Sequence, residues 1–265
     1  MSLNYPMRKS ALAVFIFLSA VSFVFAMPAG WNIRQSRHFI VYYRNANKDF
    51  VEKLIVRSES YYQSIPKSLG LKLKQQWLNQ KRCKVYIYDT AKQYQDQTGQ
   101  PDWSDGSSIQ KLRVIFSFMA AKNFLDSALP HELTHIIFRE AVGFQNKAIP
   151  VWLEEGVGAS QEQLDFYKVK ELLKDDLAKG KLIDISRLQE IDLRSLRNKA
   201  KIDLFYSQAA SIVRYLLSGF KSDRFQIFCQ NLRNGLSMEK ALNKTYGFRS
   251  ILELDQAWQR YLAQS

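Results

Sequence analysis

Two of the three histidines in this 265-residue chain fall in one pentapeptide, His131-Glu132-Leu133-Thr134-His135. On a helix, positions i and i+4 share a face, so both imidazoles can reach one ion. Glu132 is rotated by about 100° from His131 and can stand beside such an ion rather than bind it. In this His-Glu-x-x-His spacing the imidazoles bind zinc and the glutamate acts as general base. A catalytic zinc needs a third protein ligand and an open fourth position. No cysteine is near, and His38 lies far upstream, where it reads as an ordinary strand residue. Acidic candidates stand in Pro150-Val151-Trp152-Leu153-Glu154-Glu155-Gly156, nineteen and twenty positions past His135. That interval lets one helix end at Gly143, turn and return as a second, with Pro150 suited to its first turn. The competing reading is a structural histidine pair on an apolar helix.

The elements that must carry these groups are legible as periodicities. His38 to Tyr43 and Cys83 to Tyr88 are β-rich runs, and Leu112 to Phe118 is a third. Phe50 to Leu69 places Phe50, Val51, Leu54, Ile55, Tyr61 and Tyr62 at helical intervals. Thr98 to Ser108, with Gly99, Pro101, Asp105 and Gly106, reads as loop. From Gln161 onward the pattern turns helical: Tyr167–Leu177, Leu204–Phe220, Arg224–Leu232, Met238–Tyr246 and Leu252–Leu262. Phe205, Ala209, Ile212, Val213, Leu216 and Phe220 form one apolar stripe. The expectation is an α+β fold: a mixed sheet with the histidine helix over 27–160, then a helical subdomain over 161–265.

His-Glu-x-x-His followed by Trp-Leu-x-Glu-Gly resembles the gluzincin metallopeptidases, especially the bacterial families described as peptidase MA-like. Tyr206-Ser207-Gln208-Ala209-Ala210-Ser211, Gly235-Leu236-Ser237 with Ala241-Leu242, and Trp258 with Tyr261-Leu262 extend the likeness over most of the chain after residue 26. The resemblance implies a zincin-like fold, Zn²⁺ held by His131, His135 and Glu155, and Glu132 as general base. It also implies a tyrosine from the helical half as oxyanion donor, at Tyr206. A core tyrosine at the head of the apolar stripe is the alternative there. An extended peptide would lie along a sheet edge near the zinc. The strand Leu112–Phe118 either supplies that edge or is buried. Many gluzincins carry an acid four positions after the ligand glutamate to orient a histidine. Ala159 stands there instead, so that partner must be Glu162 or a backbone carbonyl.

Residues 1–26 read as an address rather than as fold. Arg8 and Lys9 precede the almost wholly apolar Ala11–Phe25, and Val24-Phe25-Ala26 offers a small-residue cleavage pattern. The apolar run is short of the roughly 20 residues that span a bilayer. It is either a cleaved secretory signal or a retained membrane anchor, and both put the protein outside the cytoplasm, periplasmic or extracellular. The net charge of +13 comes without a dense basic block. That argues against nucleic acid and leaves room for membrane or cell-wall association. Cys83 and Cys229 could pair across a long loop or remain buried thiols. Three functions follow: an exported zinc peptidase acting on peptides or proteins, a catalytically silent zinc-containing module that binds peptide or cell wall, and a metal-free interaction protein.

Overall fold

The computed structural model describes residues 30–73, 75–162, 165–193, 196, 198–221 and 223–264. The address segment over 1–26 lies outside them. Among the described residues five strands form one mixed sheet: β1 (Asn32–Gln35), β2 (Phe39–Tyr43), β3 (Cys83–Tyr88), β4 (Gly106–Ile109) and β5 (Val114–Phe118). Their spatial order is β1-β2-β3-β5-β4. The three central strands run parallel, and β1 and β4 pair antiparallel at the two edges.

Register follows the apolar alternation. Phe39 pairs with Cys83 and Val41 with Val85, and all four are buried on one face. That face looks onto helix α1 (Lys48–Ser68), whose Tyr62 meets Phe39 edge to face. On the other face Tyr42, Tyr86 and Phe116 stand in register and stack across three strands.

The chain departs from its sequence pattern at the sheet edges. The third predicted strand is internal as β5, so the edge on that side belongs to β4, most of which lies inside the stretch expected to be loop. β1 and the helix α2 (Ala91–Thr98) were not legible either. Four-residue strands take nearly all their stability from partners distant in sequence, so local pattern underdetermines them.

Helix α3 (Leu129–Val142) carries the histidines. A π-helical turn, Phe124–Ala128, leads into it, Pro130 sits in its first turn, and Gly143 at φ 99° ends it. Helix α4 (Val151–Ala159) returns after Pro150. Among the described residues six helices follow: α5 (Phe166–Ala178), α6 (Ile185–Leu188), α7 (Lys199–Ser218), α8 (Arg224–Arg233), α9 (Met238–Tyr246) and α10 (Ile251–Ala263). The apolar stripe of α7 is buried from Phe205 to Leu216, each large side chain contributing roughly 1.5–3 kcal/mol. Phe220 falls beyond the helix end and packs half-buried against Tyr215, Tyr246 and Phe248.

Cys83 and Cys229 are buried free thiols, and burial pushes both thiol pKa values up. His38 has a partner of its own: its Nδ1 lies 2.6 Å from Glu59 and its ring stacks on Tyr62. Among the described residues no helix is long and apolar enough to cross a membrane.

Candidate metal centre

Helices α3 and α4 pack together, and α4 in turn packs closely on α7. Two glycines make that approach possible. A Cβ on Gly156 would sit 2.7 Å from the carbonyl carbon of Ala209 in α7. A Cβ on Gly158 would meet the His131 ring at 2.8 Å. Helix-interior glycine costs about 1 kcal/mol relative to alanine; here the lost side chain is the space that α7 and the imidazole occupy.

The result is convergence. His131 Nε2 lies 3.4 Å from Glu155 Oε2, and His135 Nε2 lies 3.9 Å from the same oxygen. One ligand atom from each residue falls within 4.8 Å of the other two. Ligands about 2.0–2.1 Å from a tetrahedral ion stand roughly 3.3–3.4 Å apart, so the span suits a single small cation. His131 Nε2, His135 Nε2 and both oxygens of Glu155 are buried without a hydrogen-bond partner among the described residues. Unsatisfied buried acceptors are costly. Two imidazoles and a carboxylate held this way fit a divalent metal.

The second ring nitrogen of each histidine faces a carboxylate. His131 Nδ1 sits 2.7 Å from Glu162 Oε1, and Ser127 Oγ donates to the other oxygen of Glu162 at 2.8 Å. Of the two partners left open by Ala159, the structure has the carboxylate of Glu162. His135 Nδ1 faces Glu154 Oε1 at 3.3 Å, and the opposite oxygen of Glu154 pairs with Arg139 Nε at 2.9 Å. Glu154, the variable position of the motif, therefore backs the second histidine. Each imidazole has a carboxylate behind it, which fixes its orientation and strengthens Nε2 as a donor.

Electrostatics agree with a cation site. Burial pulls the His131 imidazole pKa down, but Glu155 and Glu162 outweigh it and hold the pKa well above the ordinary range. The centre thus favours positive charge between its carboxylates. Glu132 is fully buried; burial raises its pKa, while His135, His131 and a hydrogen bond from Ser108 oppose the rise. Ser108 Oγ lies 2.6 Å from Glu132 Oε2, and Glu132 Oε1 has no partner among the described residues.

Tyr206 lies in α7 with its ring centroid 6.5 Å from that of His131. Its hydroxyl is buried without a hydrogen-bond partner among the described residues. Burial, then the charges of Glu155 and Glu162, raise its pKa well above the usual value, so it keeps its proton. All five predicted residues therefore meet in one place, none more than 2% exposed. Ser108 and Gly158 are the members that sequence reasoning missed; Glu154, read there among the acidic ligand candidates, stands behind His135 instead. For Ser108 no sequence signal existed, because its strand reads as loop.

A buried His-His-Glu cluster with a further glutamate and a tyrosine close by has the group types of a metallopeptidase centre. A family model described as the Peptidase MA superfamily matches residues 70–264, and the chain belongs to that superfamily. Its mixed sheet followed by helices is the α+β, zincin-like fold. Membership supports a peptidase-type hydrolase in general and implies peptides or proteins as the class of substrate. Among curated proteins none matches the sequence.

Proposed function

We propose that the protein is an exported zinc-dependent peptidase. The single observation that carries this reading is the convergence of His131 Nε2, His135 Nε2 and Glu155 Oε2, all buried and unpartnered among the described residues. Two imidazoles and one carboxylate are the protein donor set of a catalytic zinc, whose fourth position is left to water or substrate. When bound, zinc would polarise a carbonyl and lower the pKa of water toward about 7.

The protein's own groups do the rest. Glu162 and Glu154 hold the imidazoles in place. Glu132, through its free Oε1, accepts a proton from the attacking water and passes it to the leaving amine as the C–O bond forms and the C–N bond breaks, a contribution of roughly 10²–10⁴. The Tyr206 hydroxyl donates to the carbonyl oxygen as negative charge grows there. Burial excludes competing water and strengthens each of these interactions. The peptide lies extended along the edge strand β4, paired through main-chain hydrogen bonds. Export rests on Arg8, Lys9 and the apolar run that ends at Ala26.

Metal analysis by mass spectrometry should find about one zinc per chain in the wild type and none in His135→Ala. Glu132→Gln should keep the zinc and lose turnover by roughly 10²–10⁴ on peptides chosen from a cleavage library. A wild-type protein that stays folded and takes up no zinc on titration contradicts the reading. Zinc binding with turnover unchanged in Glu132→Gln contradicts the mechanism. The N-terminal mass of the secreted protein should begin at Met27; a retained segment would make it a membrane-anchored form.

A further inference from the structure

Strand β4 is the sheet edge nearest the chemistry, and it touches the proposed base directly. Ser108 Oγ lies 2.6 Å from Glu132 Oε2, and Gln110 Nε2 donates to the same Ser108 Oγ at 3.2 Å. A serine hydroxyl has one hydrogen to give. Because its oxygen accepts from Gln110 and an ionised carboxylate can only accept, that hydrogen goes to Glu132. The other carboxylate oxygen, Oε1, is buried and has no partner among the described residues.

We propose that Ser108 is a positioning residue for Glu132: its hydroxyl holds Oε2 and so presents Oε1, and only Oε1, to the proton it must take. The terminal carboxylate torsion of glutamate is broad and roughly two-fold, so an untethered Glu132 would sample several orientations. The inference rests on the peptidase reading above.

The strand that carries Ser108 is itself held in register. Ser117 Oγ of β5 donates to Asp105 O at 2.6 Å, and Ser104 Oγ donates to Gly106 O at 2.9 Å. Gly106 lies against the turn before α3, where an added Cβ would be 3.3 Å from Ala128 Cβ. A slip of one residue would turn Ser108 to the opposite face. These contacts fix where the hydroxyl sits relative to α3, which carries the base.

The test uses the full-length, zinc-loaded protein. Ser108→Ala should lower kcat by roughly 10–100-fold, the scale of a misplaced catalytic group. KM and zinc content should stay at wild-type values. Ser108→Thr, which restores a hydroxyl, should recover most of the loss. A readout without turnover is the calorimetric affinity for acetohydroxamic acid, a metal chelator whose hydroxyl proton a well-placed carboxylate can accept. It should weaken in Ser108→Ala and recover in Ser108→Thr.

If Ser108→Ala does not fold, Ser108→Val against Ser108→Thr replaces it, since these side chains differ chiefly in the hydroxyl. Wild-type kcat and acetohydroxamate affinity in Ser108→Ala, or equal kcat in the Val and Thr variants, overturns the proposal. Should Glu132→Gln retain turnover, the base assignment itself has failed; an inactive Glu132→Gln beside a fully active Ser108→Ala removes the role of Ser108 alone.

Discussion

The two ends of helix α3 hold the same residue type in opposite circumstances. At the C-terminal end, Glu140 is buried and held by cations and donors of the chain itself. Its Oε1 takes hydrogen bonds from Trp77 Nε1 at 2.9 Å and from Arg113 Nε at 2.6 Å. Arg233 Nη1 donates to the backbone oxygen of the same residue at 2.6 Å, tying α8 to the helix end. At the N-terminal end, Glu155 from α4 meets two imidazoles and has no hydrogen-bond partner among the described residues. A buried carboxylate with an arginine beside it is architecture; one that faces two imidazoles could hold a cation. The difference lies in the partners and not in the residue.

That contrast can be broken from either end. The largest effect is expected at Glu140. Replacing it with alanine leaves Arg113 without its buried partner and should cost about 3–5 kcal/mol in urea unfolding, while zinc binding at the other end persists. Glu155→Gln should do the reverse and abolish stoichiometric zinc uptake with the fold retained. Loss of zinc in both variants, or in neither, would erase the distinction.

Next in size is the backbone contact between α4 and α7. Gly156→Ala must push Ala209 away and should cost about 1–3 kcal/mol by overpacking, read as a lower denaturation midpoint. Gly158→Ala, whose Cβ meets the His131 ring, should weaken zinc binding as well.

Behind the ligands the expected effect is smaller. Glu162→Gln should lower zinc affinity by roughly 10–100-fold, measured by competition with a chelator. Glu154→Gln should lower it less. Its contact with His135 is 3.3 Å against 2.7 Å for Glu162 with His131, and Glu154 is shared with Arg139. Equal losses would mean that both carboxylates orient their rings to the same degree.

The smallest effect lies away from α3. Burial raises the Glu59 pKa, but hydrogen bonds from the His38 ring, the Ser36 hydroxyl and the His38 amide bring it below its ordinary 4.5. A depressed carboxylate stabilises the fold above its unfolded pKa, and that contribution is lost as pH falls through the folded value. Glu59→Gln should therefore flatten the fall in stability below about pH 4.5. A wild-type slope in this variant would remove Glu59 from the acid response.

Much of the centre was legible because its signal is local. A histidine pair one helical turn apart, proline in the first turn and glycine at the end define α3 from one short stretch. The Trp-Leu-Glu-Glu-Gly segment supplies the third ligand by family likeness. Glu162 could be named only as one of two options, since seven residues past Glu155 carry the chain beyond the end of α4. Strand β4 was hidden in a glycine- and serine-rich stretch, and with it Ser108. Helix α2 was missed for a related reason: eight mostly polar residues give little periodicity, and only Tyr94 is buried.

The sequence by itself determined which groups could bind a metal, because ligand type and position along the chain are covalent facts that survive any packing. It also set the helical second half through repeated apolar stripes. Only the tertiary structure decided which carboxylate backs which imidazole, which strand forms the edge, and that Glu132 is touched by a serine 24 positions away. Those outcomes depend on the relative placement of α3, α4 and β4. That placement comes from close approaches at Gly156, Gly158 and Gly106, through contacts that no local stretch of sequence encodes.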